Sequence, residues 1–502
     1  MLITESRIVV RDRLASGEPV DWRLEALRLE AKGRGEAEPI EVEATARLDS
    51  GVDAVGRLSA EGTVSLGGVY DLDVGIEALL LEALAGYVPD AELAGRLSGR
   101  VSVEGVLSTL AETDLDLQVE DLALEGWGLD LAGDLDLQAT QALADPIAFV
   151  AALDLGSGGR SRIEGTMSLE GALDAEADLE ALDLAPFASL AGGARELAGR
   201  ATGRLALSMD AERGLTRLAA SLDVGSARYV EDAVDVGGDL EIDLELAGLD
   251  AEDPIRFDTA IDLATGGRLE AAGVATAAGA VDGRARFDGV DLALLAPWLQ
   301  AGTEVEGLLS GRVDLRMTAD RKIDRLDTDL RLETARIVGA RVDVAGAASL
   351  IMALGSEGPA RIEGGLRLVD GGRLDLEGTA TLAGLLDLEG EIERLDLGVA
   401  TPFLPDPEMQ VGGLATGRLK VVGAATSPEF VRLDVGVEDG ILRIPDYAID
   451  GPYLLDLEVK EPLSERPRGR VALDLTAARV RYGDQLEKRA GQRAEMVSRF
   501  VP

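Results

Sequence analysis

Two short signatures recur in step along this chain, and a fixed period limits what a sequence can fold into more than any single motif does. Gly-x-x-x-Gly-Arg stands at Gly95–Arg100, Gly199–Arg204, Gly307–Arg312 and Gly413–Arg418, at separations of 104, 108 and 106 residues. A Gly-Arg turn running on to a further glycine stands at Gly56-Arg57…Gly62, Gly159-Arg160…Gly165, Gly267-Arg268…Gly273 and Gly372-Arg373…Gly378. From the last glycine of each turn to the first of the next signature is 33, 34, 34 and 35 residues. A small-residue–aromatic pair precedes each signature: Gly86-Tyr87, Pro186-Phe187, Pro297-Trp298 and Pro402-Phe403. The repeat is therefore about 105 residues long. Units fall at 1–105, 106–210, 211–318 and 319–423, with a partial fifth at 424–502 ending in an Arg-rich tail.

Between the markers the sequence alternates apolar and charged residues. Thr113–Val119 (TDLDLQV), Asp134–Ala139 (DLDLQA), Asp239–Leu246 (DLEIDLEL) and Arg325–Leu332 (RLDTDLRL) show it most clearly. A period of two puts the apolar side chains on one face of a strand and the carboxylates on the other. Glycine-rich breaks suit hairpin connections, which gives an antiparallel sheet with one apolar and one acidic face. About eight strands per unit, at ~4.8 Å spacing, would make one continuous sheet on the order of 170 Å long. Helical character is confined to the short segments around the aromatic pairs and to the tail, Asp484–Phe500.

Composition closes off several functions. A formal net charge of −44 leaves no basic footprint for nucleic acid. The chain has no cysteine and no histidine, which removes disulfides, thiolate metal sites and the commonest general base. Asp-x-Asp pairs such as Asp114/Asp116 follow from the alternation and lack the glycine spacing of a calcium loop. No unit carries a polar cluster its siblings lack, so the chain reads as non-enzymatic, with no cofactor. The longest apolar run, Gly346–Gly355, is about half of what a spanning helix needs, and Met1–Arg11 lacks the pattern of a signal peptide.

Periodicity leaves two ways to cover the apolar face. Two sheets can pack as a sandwich, or one sheet can curl into a trough with an open apolar channel. Candidates for that face are Leu115, Leu117, Val119, Leu135, Leu137, Leu240, Ile242, Leu244, Leu246, Leu326, Leu330 and Leu332.

The opening Arg7–Ala31, the Gly-Arg…Glu-Gly-Thr turns (Arg57–Thr63, Arg160–Thr166, Arg373–Thr379), the Asp291–Leu299 element and the strands opened by Gly-x-x-x-Gly-Arg resemble the AsmA family. That family includes TamB-like proteins and belongs to the repeating β-groove, bridge-like lipid-transfer proteins; the likeness extends to about Val459. It implies an all-β fold with short helices, an elongated antiparallel sheet curled into a repeating groove. It also implies a Gram-negative periplasmic protein, anchored in the inner membrane by an N-terminal helix, that aids phospholipid transport for outer-membrane biogenesis. Phospholipid and components of either membrane are the partners it implies. The sequence departs from the family pattern in carrying no tether. A β-repeat adhesin or scaffold with closed sandwich cores is the alternative.

Overall fold

A computed structural model describes the chain except residues 14–18, 34–37, 50–53, 89–90, 107–108, 127–128, 144, 192–195, 213, 232–233, 249, 295–303, 340–341, 356–357, 370, 382–383, 399–400, 402–408, 425–426, 445–446, 463–467, 484–485 and 501–502. Strands make up 80% of it and helical turns 3%, so the class is all-β. It divides into two units, Met1–Thr259 and Ala260–Pro502.

The first unit opens with β1 (Leu2–Arg13), β2 (Pro19–Lys32), β3 (Ile40–Asp49), β4 (Ala54–Val64), β5 (Val69–Leu80), β6 (Ala91–Val106) and β7 (Thr109–Gly126). It continues with β8 (Leu129–Ala142), β9 (Ile147–Leu155), β10 (Arg160–Met167), β11 (Leu173–Asp183), β12 (Glu196–Met209), β13 (Leu215–Glu231) and β14 (Val234–Leu246). The strand β15 (Pro254–Leu263) spans the boundary. The second unit follows with β16 (Arg268–Thr276), β17 (Val281–Asp291), β18 (Glu304–Met317), β19 (Ile323–Gly339), β20 (Val342–Leu354), β21 (Ala360–Leu368), β22 (Arg373–Ala380) and β23 (Leu385–Asp396). Its last strands are β24 (Gln410–Ala424), β25 (Ser427–Ile444), β26 (Tyr447–Asp450), β27 (Tyr453–Lys460), β28 (Arg468–Asp474), β29 (Arg479–Tyr482), β30 (Leu486–Lys488) and β31 (Glu495–Phe500).

From β1 to β14, each strand pairs antiparallel with the next in sequence. The same holds from β16 to β25 in the second unit. Neither unit closes its part of the sheet into a barrel among the described residues. Strands are fewer and longer than eight per repeat; β7 and β25 reach 18 residues each. The reason is that glycines expected at breaks lie inside strands, as Gly62 does in β4 and Gly95 and Gly99 do in β6.

Gly62 keeps an unbroken register with both neighbouring strands, whereas the glycines of the signature stand beside bulges. Ala78, Ala181, Gly289 and Arg394 all have left-handed φ (50°, 50°, 63° and 48°), and the register against the following strand shifts at each. Such a bulge orphans a backbone N–H. Its acceptor is the residue before the second glycine of the signature: Ala78 N–H to Ser98 Oγ at 3.0 Å, Ala181 to Thr202 Oγ1 at 3.1 Å, Gly289 to Ser310 Oγ at 3.0 Å and Arg394 to Thr416 Oγ1 at 3.1 Å. The second glycine is needed because a Cβ there would lie 2.0–2.2 Å from a neighbouring carbonyl oxygen, that of Asp116, Ser221, Asp329 or Asp434. The first glycine faces a second column of left-handed residues, Asp121, Ser226, Thr334 and Asp439. In all four copies the signature lies a few residues inside its strand, at a bulge with a close backbone approach.

Helical character is slight. Leu81–Tyr87 and Ala185–Ala191 form 3-10 turns, while the other two aromatic pairs, Pro297-Trp298 and Pro402-Phe403, lie outside the described residues. In three repeats an aspartate opens the segment by accepting an N–H two residues on: Asp183 from Ala185, Asp291 from Ala293 and Asp396 from Gly398. The tail Asp484–Phe500, expected to be helical, forms two strands joined by a turn where described. β31 pairs with β28 from Gly469↔Phe500 to Asp474↔Glu495, setting Met496 beside Leu473. That ladder meets the backbone's hydrogen-bonding demand within the sheet.

At the end of the second unit the sheet forks. The first half of β25 pairs with β27 and its last four residues pair with β26. One limb is β27–β28–β31, the other β26–β29–β30. A buried cluster of Ile392, Ala415, Val435, Val437, Ile449, Tyr453, Leu473, Leu475 and Ala478 draws residues from both limbs. Lys488 Nζ braces it by donating to the carbonyls of Leu475 (2.7 Å), Thr476 (3.2 Å), Ala478 (2.7 Å) and Arg489 (3.2 Å).

Candidate functional site: a partly covered apolar face

Cross-strand register shows where the alternation leads. In the first unit one row runs Ala46–Leu58–Ile76–Gly99–Leu117–Leu137–Ala151–Ile163–Ala177–Leu205–Ala220–Leu244, from β3 to β14, each residue opposite the next. A parallel row from Ala44 to Leu246 passes through Val74, Leu115, Phe149 and Leu207. Neither contains a charged or hydrogen-bonding side chain. Val119, Leu135 and Ile242 stand in a third row, which passes through the buried hydroxyl of Ser161. Leu240 lies one step further along β14, opposite Val224. The nine candidates of the first unit thus share one face.

The second unit repeats the arrangement. Leu330 stands in a row from Leu269 to Val471 that contains only apolar residues and glycine. Leu326 and Leu332 flank it on the same face of β19. Between Leu326 and Leu330 lies Thr328, only 8% exposed, whose hydroxyl has no hydrogen-bond partner; the Thr113 hydroxyl, on the same face of β7, has none either. A threonine does not break the apolar period of its strand, so neither hydroxyl stands out in the sequence.

Coverage separates this face from a sandwich core. Of the twelve candidates, Val119 alone is buried, at 7% exposed; the other eleven are partly covered. The chain exposes 30475 Å², whereas two compact units of half its mass would together expose roughly 21,000 Å². Some cover comes from the 3-10 turn at Ala185–Ala191, whose Phe187 packs on a small buried group of Leu155, Leu179 and Leu182. Full closure occurs at the fork. Twelve strands at ~4.8 Å make a strip on the order of 50 Å long across the first unit.

The opposite face is solvated and acidic. Glu43, Glu61 and Asp73 stand directly opposite one another, as do Glu363, Glu377 and Glu389. Arginine and lysine side chains interleave: Arg228 with Asp235 at 2.9 Å, Arg373 with Asp375 at 2.6 Å, Lys420 with Glu389 at 2.8 Å. These neighbours hold Asp235 and Glu389 below the usual carboxylate range, first through the hydrogen bond and then through charge. An open depression of about 840 Å³ lies here, around Glu363, Arg373, Glu389, Arg418 and Lys420. Exposed ion pairs line it, and it is open to solvent. No cluster of three acids placed to hold a metal occurs among the described residues, and no helix there is long and apolar enough to cross a membrane. No protein-family model matches the chain, and no curated protein or solved structure matches it.

Proposed function

We propose that the apolar face holds the acyl chains of phospholipids and lets them slide along the sheet, as the resemblance to the AsmA family implies, in aid of lipid transport across the periplasm to the outer membrane. The observation that carries this reading is the pair of uncharged rows crossing every strand from β3 to β14 while all their residues but Ala46 and Ala139 stay only partly covered. Exposing two chains of ~16 carbons to water costs roughly 25 kcal/mol at ~0.8 kcal/mol per methylene. A smooth apolar strip removes most of that cost by area alone and imposes little directional bonding, so the lipid keeps its freedom to move. Head groups stay in water at the margin. The reading contains no chemical step, and so no catalytic residue or cofactor. The alternative, a scaffold of closed cores, is favoured only by the fork, where burial is complete.

The test is native mass spectrometry of gently purified protein, with a photo-crosslinking side chain placed at Leu137, Leu244 or Leu330 and, as control, at Glu245 or Arg331. Phospholipid adducts at the first three positions and none at the controls are expected. Leu244→Asp should abolish adducts while the circular dichroism stays that of a β-sheet protein. Protein that is reproducibly free of lipid and forms no adduct at any position would sink the reading.

A further inference from the structure

Basic residues gather at one place in a chain that is acidic almost everywhere else. Residues 468–499 hold eight Lys and Arg against four Asp and Glu, where the whole chain holds 49 against 93. The fork puts part of this surplus on one ribbon. β29 lies against β26 through Tyr482↔Tyr447, Arg481↔Ala448 and Arg479↔Asp450, and β30 follows with Lys488 and then Arg489.

Two exposed aromatic rings lie beside these charges. Tyr447 and Tyr482 stack with centroids 4.6 Å apart and are 44% and 39% exposed. They occupy the same strand face as Ile449, a member of the buried cluster, and Val480, which packs against it. The tyrosines thus carry the apolar side of the core outward into solvent. Arg479 and Arg481 stand on the opposite face of β29, both exposed, and neither has an ion pair among the described residues. The acids nearby are few: Asp450 is held by Arg443 at 2.6 Å, and Glu487 stands opposite Arg481. Most arginines of the acidic face are, by contrast, ion-paired. The Lys488 clamp fixes β30 to the core, so the ribbon presents this surface without having to order it on binding.

The geometry points to a docking surface for an anionic lipid bilayer at this ribbon. Tyrosine suits the level of the head groups, with its ring toward the acyl chains and its hydroxyl in water. Each arginine near an anionic surface strengthens binding about fivefold. The acidic remainder of the chain is repelled by the same surface, so the ribbon is the part that approaches it. A nucleic acid of similar charge has no use for two exposed rings on a chain of net charge −44. This docking goes beyond acyl-chain binding and does not depend on it.

Vesicle flotation tests it with the full chain. Vesicles of phosphatidylcholine with 30% phosphatidylglycerol should float the protein, and pure phosphatidylcholine should not. Arg479→Gln with Arg481→Gln should weaken partitioning about 25-fold, and raising the salt tenfold should release the wild type. Tyr447→Ser with Tyr482→Ser should weaken it as well, and Arg312→Gln with Arg331→Gln, removing the same charge elsewhere, should change nothing. Thermal unfolding of the Arg479/Arg481 variant should match the wild type, since both side chains are exposed. Equal flotation by both vesicle types, flotation indifferent to the ribbon variants, or binding to single-stranded DNA without binding to vesicles would each overturn the proposal. None of these results touches the acyl-chain reading, which the crosslinking at Leu137, Leu244 and Leu330 decides separately.

Discussion

Gly203→Ala should be among the most damaging small substitutions in the first unit. Gly203 is the second glycine of its signature, at φ 145°, in backbone space that an L side chain rarely enters. A Cβ there would lie 2.1 Å from the carbonyl oxygen of Ser221 and 3.0 Å from Leu222 Cα. Non-bonded heavy atoms normally keep about 3.5 Å apart, so β12 and β13 would have to separate by well over an ångström where their ladder is continuous. Backbone strain of about 1–3 kcal/mol adds to an overpacking cost of about 1–3 kcal/mol, for a total of about 2–6 kcal/mol. The matched control is Gly225→Ala on β13. Its Cβ would meet nothing within 4 Å, its φ is outside the left-handed range, and it is exposed. There alanine should be neutral or stabilise by about 0.4–1 kcal/mol through the unfolded chain. Urea denaturation followed by circular dichroism compares the two, and amide exchange in β12 and β13 localises the loss. Variants within about 0.5 kcal/mol of each other, the scale at which surface substitutions are ordinarily neutral, would refute the steric reasoning.

Three further outcomes are expected. Thr202→Ala should cost about 1 kcal/mol by leaving the Ala181 N–H without its acceptor, and Thr202→Ser should restore it; thermal melts of the two variants decide. Burial pushes the Tyr453 hydroxyl above the ordinary tyrosine range. Its contribution to stability is complete below about pH 10 and falls away as pH rises through the elevated value, so an alkaline melt should lose amide protection first around β25, β27 and β28, and Tyr453→Phe should blunt that loss. Lys488→Met should loosen the fork by removing four carbonyl contacts at once, read as faster amide exchange in β29 and β30 with the first unit unchanged.

Much of the fold was legible because two periods are written into the chain. Alternation in Asp239–Leu246 gives strand and face together, and all four of its apolar residues land on the face assigned to them. Glycine misled the reading of strand number. A glycine marks either a turn or a place where two backbones touch, and Gly62 is of the second kind, which only the position of a neighbouring carbonyl reveals. The role of Ser98, Thr202, Ser310 and Thr416 was hidden for the same reason: each serves an N–H about twenty residues earlier in the chain. The extended tail and the fork depend on partners brought together by the sheet, and no local pattern in Asp484–Phe500 announces them. The candidate face was readable in the long leucine strands and invisible in strands such as β10 and β16, where alanine, glycine and serine continue the rows without looking hydrophobic.

The bulge columns also bear on how such a chain folds without error. Alternation forbids a strand from slipping by one residue, since that would turn its leucines outward. It does nothing against a slip of two, which keeps every side chain on its proper side. In a protein built of near-copies, two-residue slips are the cheap mistake. A strand displaced by two would bring a side chain against the carbonyl now faced by glycine and carry the serine or threonine hydroxyl away from the N–H it serves. Each repeat therefore holds its own check on alignment, applied between neighbours in sequence, so the pairing can be verified locally as the chain grows.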